Sequence, residues 1–183
     1  NILKKYKLNI FDCQTSPISG GSLIIYFSKI LKKPTPFFLQ LKKNEIKNKY
    51  NSLKRWQSFG LQSIKHANNF KKTLKKIINK NNKKIVAYGA SARSSTLLNF
   101  CKIGNETISH IVDKNKLKHN FFTPGTNIKI KSFEQDKINF KKYKYILILA
   151  WNFKNEIIND LKKYNFTGKI ISPLPIISVK KCL

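Results

Sequence analysis

Methionine is missing from all 183 residues, so Asn1 is not expected to be an intact start, and the chain reads as the tail of something longer. Acids are scarce, 8 against 37 Lys plus Arg, and the formal charge of +29 raises a polyanion partner such as nucleic acid or an anionic membrane. Arginine is scarcer still. Only Arg55 and Arg93 occur, whereas nucleic-acid surfaces favour the guanidinium fork alongside lysine. The lysines are spread along the whole chain among many Asn and Ile, a pattern of biased background composition as much as of a binding patch. It predicts nonspecific sticking to nucleic acid at low salt and no specific nucleic-acid partner. Three cysteines, Cys13, Cys101 and Cys182, stand far apart without a C-x-x-C or a nearby histidine at ligand spacing. Free thiols, no metal and a reducing, cytoplasmic compartment are expected. No apolar run is long enough to span a bilayer and no signal-peptide core opens the chain, so no membrane partner is expected.

What is present centres on Lys83 to Phe100, KKIVAYGASARSSTLLNF. Ile85, Val86 and Ala87 form a short buried strand, Gly89 a tight turn, and Ser91 to Thr96 the opening of a helix carrying Leu97, Leu98 and Phe100. A strand, turn and helix of this kind leaves backbone N–H groups and a positive helix end where a phosphate can sit. Arg93 would add its fork of donors. The dinucleotide fingerprint G-x-G-x-x-G is one-third present, because Ala87 and Ala92 or Ser94 stand where glycines belong. A ligand-free strand-to-helix turn therefore remains an equal reading.

Upstream, Asn1 to Ile10 reads as the end of a helix passing into a strand near Leu8 to Phe11. Ser22 to Phe27 gives a second strand after the turn Pro17 to Gly21. Two strands around one turn are not stable alone in water, so they should belong to a sheet whose other strands are missing. Lys32 to Pro36 marks a boundary. Lys42 to Asn82 repeats apolar residues every three or four positions, from Leu53 and Trp56 through Ile64, Ala67, Phe70 and Leu74 to Ile77. The spacing predicts an amphipathic helix, broken near Gly60, whose stripe serves core or interdomain packing. The expected organisation is 1–36 as the end of an upstream domain, 37–82 as linker helix or helices, and 83–183 as a small α/β domain.

In that last part, Glu106 to Val112 predicts a second strand ending at Asp113, placed either to accept from a ribose hydroxyl or to form a solvated turn with Lys114 and Asn115. Phe121 to Thr126 holds a Pro-Gly turn, and Ile128 and Ile130 a short strand. Tyr145 to Ala150, YILILA, is continuous enough for a strand buried on both faces of a parallel sheet. Trp151 and Asn152 follow at its carboxyl end, where ligands gather in open α/β sheets, although Asn152 equally serves as a helix N-cap. A helix over Lys154 to Tyr164 and a last strand over Lys169 to Ser172 complete a small Rossmann-like, mostly parallel sheet.

Four ordered segments, GASARSSTLLNF, IVDKNKLKHNFFTPGTNIKI, YILILAWNFKNEII and GKIISPLP, resemble the C-terminal domain of the sugar C-methyltransferase family over about Lys42 to Val179. The head, FDCQTSPISGGSLIIYF, is similar to the closing segment of that family's methyltransferase domain, with Ser19 where the family has histidine and Ile25 near a usual arginine. The resemblance implies enzymes that act on nucleotide-linked keto-sugars with S-adenosylmethionine, this domain closing over the site and holding the nucleotide-sugar. It assigns substrate contacts to Tyr88, Gly89, Ala90, Ser91, Arg93, Ser94, Asp113, Asn115, Lys118, Pro124, Gly125, Thr126, Trp151 and Asn152. It places the catalytic base, the methyl-donor pocket and a cysteine-rich zinc module upstream of Asn1, on a methyltransferase domain reached in cis or in trans. S-adenosylmethionine is thus expected for the intact enzyme and not on this chain alone. His66, His110 and His119 have no acid beside them in sequence, and none is nominated as a base. A nicotinamide-dinucleotide module and a basic nucleic-acid-binding protein remain the alternatives.

Overall fold

A computed structural model describes residues 2–17 and 21–182. It resolves into two compact units, Asn1–Ser63 and Ile64–Leu183, the division falling within one long helix.

The first unit holds a short helix α1 (Ile2–Lys5), an antiparallel pair β1 (Asn9–Ser16) and β2 (Ser22–Ser28), α2 (Pro36–Lys47) and the start of α3 (Leu53–Asn81). The turn expected at Pro17 to Gly21 falls partly outside the described residues, as do Ile18, Ser19 and Gly20. Helix α2 begins as its sequence dictates, with Pro36 in the first turn and the Thr35 side chain accepting from the Phe38 N–H. Thr35 Oγ1 also donates to Asp12 Oδ1 at 2.5 Å, tying the helix start to β1. Cys13 is the one buried hydrophobic residue of this unit among those described. Both faces of β2 stay open among the described residues, with Leu23, Ile24, Ile25, Tyr26 and Phe27 all exposed.

The helical stretch breaks at residues 48–52 instead of near Gly60, which lies inside α3. Lys49 takes a left-handed φ of 51° after α2, and the Ser52 hydroxyl accepts from the Arg55 N–H to start α3. Of the predicted stripe, Ala67, Phe70 and Leu74 are buried, whereas Leu53, Trp56 and Ile64 are exposed. Packing therefore claims the second half of the helix only.

The second unit is a six-stranded sheet of β3 (Ile85–Tyr88), β4 (Ile108–Asp113), β5 (Ile130–Ser132), β6 (Tyr145–Ile148), β7 (Lys169–Ser172) and β8 (Ser178–Lys181). The strand order is β5-β4-β3-β6-β7-β8, parallel except for β8. Helices α4 (Ala92–Cys101) and α6 (Lys154–Lys163) make the crossovers, and a short α5 (Phe133–Asp136) runs into a 3-10 segment, Lys137–Lys142. The central strands alternate between two cores. Ile85, Ala87, Leu147 and Leu149 join Phe70, Leu74 and Leu98 on one face, and Val86, Tyr88, Ile146 and Ile148 join Phe140, Ile157 and Leu161 on the other. Burial on both faces accounts for the unbroken apolar runs IVAY and YILI. The antiparallel edge strand β8, with only Val179 apolar among its lysines, and the α5 region were not expected from the sequence.

Candidate functional site

The chain leaves β3 to build outward through β4 and β5, then returns to β6 on the other side of β3. The direction of winding reverses between β3 and β6, so a crevice opens outside their carboxyl ends, where this class of sheet binds ligands. Gly89 sits there with φ +98°, and a Cβ on it would collide with the Cβ of Ala150. The turns after β3 and β6 therefore touch, which brings Trp151 and Asn152 to the same edge as Gly89. Trp151 is half-buried and Asn152 exposed, in a 3-10 turn, Trp151–Phe153, whose cap is Ala150.

Asp113 closes the other side of the mouth. Its Oδ2 accepts from the Ala90 N–H at 2.7 Å and its Oδ1 from the Asn115 N–H at 2.8 Å. Lys118 Nζ donates to the Ala90 carbonyl at 2.8 Å and lies 3.5 Å from Asp113 Oδ2. The loop after β4 is thus pinned to the turn after β3 through an almost buried carboxylate. Asn115 in turn caps the 3-10 turn Lys116–Lys118 by accepting from the Leu117 N–H.

Helix α4 opens on a reciprocal capping box, Ser91 Oγ accepting from the Ser94 N–H at 3.1 Å and Ser94 Oγ from the Ser91 N–H at 2.7 Å. The side chains standing in for fingerprint glycines do not crowd the mouth. Ala87 lies in the core, and Ser94 is fully buried beneath the cap. Arg93 is exposed in the first turn of α4, at its positive end.

The structure does not bring every nominated residue to this edge. Pro124, Gly125 and Thr126 form the tip of a hairpin-like excursion bridged by Phe122 and Lys129, just before β5 begins. Asn99 Nδ2 donates to the Pro124 carbonyl at 2.9 Å, Gly125 at φ +75° presses against the Asn99 side chain, and Thr126 O approaches Gly104. Asn99 and Gly104 lie at the far end of α4, so this turn sits by the amino ends of the strands, two helical turns from the mouth. A Pro-Gly dipeptide marks a turn but carries no information about which end of the sheet it caps.

Two residues at the mouth escaped the sequence reading. Asp160 of α6 accepts from the Tyr88 hydroxyl at 2.9 Å and pairs with Lys114 Nζ at 2.6 Å, joining α6, the end of β3 and the loop after β4. Burial, followed by the bond to Asp160, pushes the Tyr88 hydroxyl far above its ordinary pKa, so it stays a donor. The available signal was Asp160 beside Leu161 of the buried pair Ile157 and Leu161. Among the described residues no three His, Cys, Asp or Glu side chains gather as a metal site, and no helix is long and apolar enough to cross a membrane.

Known proteins share this arrangement of sequence. C-methyltransferase NovU of Streptomyces niveus is 24% identical over 177 residues, which is 95% of this chain and 41% of that protein. The chain thus spans about two fifths of the length of this curated relative. Residues 17–175, from the turn of the hairpin to the segment after β7, match the family described as the C-methyltransferase C-terminal domain. That span contains the whole β3-to-β7 sheet and the mouth built on it, and the chain belongs to the C-methyltransferase C-terminal domain family.

Proposed function

We propose that this chain is the nucleotide-sugar-holding part of a sugar C-methyltransferase, gripping the diphosphate of a nucleotide-linked keto-sugar while the carbon chemistry occurs on an upstream methyltransferase domain. The observation that carries the reading is the joined edge at Gly89. The turn after β3 meets Ala150 on one side and is held by Asp113 and Lys118 on the other, with the exposed Arg93 in the first turn of α4. A helix start and a guanidinium at one mouth favour a phosphate over a neutral ligand. Arg93 and the start of α4 make the grip, Gly89, Ala90, Asp113 and Lys118 hold its shape through bonds among themselves and to β4, and Trp151 and Asn152 border it on the side of β6.

Asp113 stands where sheets of this class place a ribose acceptor, and each of its oxygens accepts one backbone N–H, so it also shapes the loop. The methyl donor, the base and the stabiliser of the enolate are assigned to the upstream domain. The chain's own part is to bind and orient the sugar.

Calorimetric titration of the full chain with a nucleoside diphosphate and a nucleotide-sugar tests this. Saturable binding at physiological salt, weakened about tenfold or more by Arg93→Ala, is expected from loss of a charge-assisted hydrogen bond. Absence of binding, or binding indifferent to Arg93→Ala, overturns the reading.

A further inference from the structure

Beyond this mouth, the carboxyl end of β7 borders a second concavity, apolar over most of its wall with serine and lysine side chains around it. A cavity of about 220 Å³ is lined by Lys154, Ile158, Ser172, Ser178 and Lys180, with Ile170, Lys181 and Cys182 completing it. Ser172 is 2% exposed, and its hydroxyl is buried without any hydrogen-bond partner among the described residues. Buried hydroxyls are almost always paired, so an orphan at the wall of a cavity points to a missing partner.

The fold explains why these side chains converge. Along a strand alternate residues share a face, which puts Ser172 with Ile170 on the side of the sheet covered by α6. In the antiparallel register Ser172 pairs with Ser178 and Ile170 with Lys180, so the same face continues across β8. Lys154 and Ile158, four residues apart, close the cavity from α6. Lys154 is the first residue of that ten-residue helix, whose start no side chain caps. Glu156 in the same turn does not line the cavity, and no acid does among the described residues. Two hydroxyls and three lysines around a helix start, without a carboxylate, describe the chemistry of a phosphate group.

We propose that the Ser172, Ser178, Lys154 and Lys180 cavity is a second anion site of this domain, taking one phosphate group on the carboxyl edge beyond the β3 and β6 crevice. Ser172 donates its hydroxyl proton to a phosphate oxygen there, and the lysines neutralise its charge. The volume equals the liquid share of about seven waters, room for a phosphate with part of its hydration.

The test is inorganic phosphate titrated into the labelled full chain at constant ionic strength in chloride, following amide shifts of Lys154, Ser172 and Ser178 by NMR. Saturable shifts at these amides are expected. Ser172→Ala and Lys180→Ala should each weaken them about tenfold or more, whereas Lys75→Ala on α3, which removes the same charge elsewhere, should leave them unchanged. Ser172→Ala should also fold as well as the parent, because it deletes an unpaired hydroxyl, so lost binding cannot be lost structure. Arg93→Ala should leave this response intact, which separates failure here from failure at the Gly89 mouth. Competition by a nucleoside diphosphate in the Arg93→Ala chain assigns the phosphate to the nucleotide, and its absence to a free phosphate. Shifts that do not saturate, that weaken equally in Lys75→Ala, or that persist in Ser172→Ala overturn the proposal.

Discussion

Gly89 shows how one position couples backbone conformation to the site. Its φ of +98° lies where a side chain is strained, and the space its Cβ would need belongs to Ala150. Gly89→Ala is expected to cost about 2–4 kcal/mol, the sum of left-handed backbone strain and overpacking, read as a fall in the urea midpoint. Diphosphate affinity should fall further than stability alone explains, because the turns after β3 and β6 must separate. Gly89 was legible in the sequence, since a lone glycine between a buried strand and a helix start has few other uses. The role of Asp113 was not. Ribose acceptor and turn former use the same residue at the same place, and nothing in the sequence signals that its two oxygens accept the N–H groups of Ala90 and Asn115.

Elements were legible in proportion to how much apolar pattern they bury. The strands IVAY and YILI and the helix around Ile157 and Leu161 announce themselves because both sheet faces are covered. Strand β8 at the edge shows one apolar residue, Val179, before two consecutive lysines, and α5 with its 3-10 continuation is too short for a period to emerge. Yet that short region contributes Asp136 to a buried polar cluster. Asp136 lies 2.8 Å from His110 Nε2 on β4 and accepts from the Tyr143 hydroxyl at 2.9 Å. Burial alone would raise its carboxyl, but the bonds from His110, Tyr143 and Asn139 outweigh burial and hold it below its ordinary 3.8. A depressed folded pKa gives stability that is present above 3.8 and lost as pH falls through the lower folded value. Asp136→Asn should therefore cost about 1–3 kcal/mol at neutral pH by leaving buried groups mismatched. In urea titrations at pH 6 and pH 3 the gap to the parent chain should narrow at the lower pH. An equal gap at both would show that the carboxylate charge contributes nothing to fastening α5 on β4.

At the scale of the molecule, the two units differ in what they bury. Ile64–Leu183 holds two apolar clusters, one on each face of its sheet, whereas the first unit buries a single hydrophobic residue, Cys13, among those described. A two-stranded pair with both faces of β2 exposed lacks the burial needed to offset the loss of chain entropy. Leu8, Ile10, Leu23, Ile25, Phe38 and Leu39 line an open groove between hairpin and α2 instead of closing into a core. A fragment of residues 64–183 should unfold in one cooperative urea transition with a midpoint close to that of the same sheet in the full chain, followed by near-ultraviolet circular dichroism. Residues 1–63 alone should show no cooperative transition and should be cut by protease at low enzyme ratios. Fusing a methyltransferase domain in frame ahead of residue 1, the arrangement proposed above, should give the hairpin protease resistance without moving the midpoint of the sheet. A cooperative, resistant 1–63 fragment would mean that the hairpin is a finished domain, and the division of labour with an upstream catalytic part would lose its structural basis.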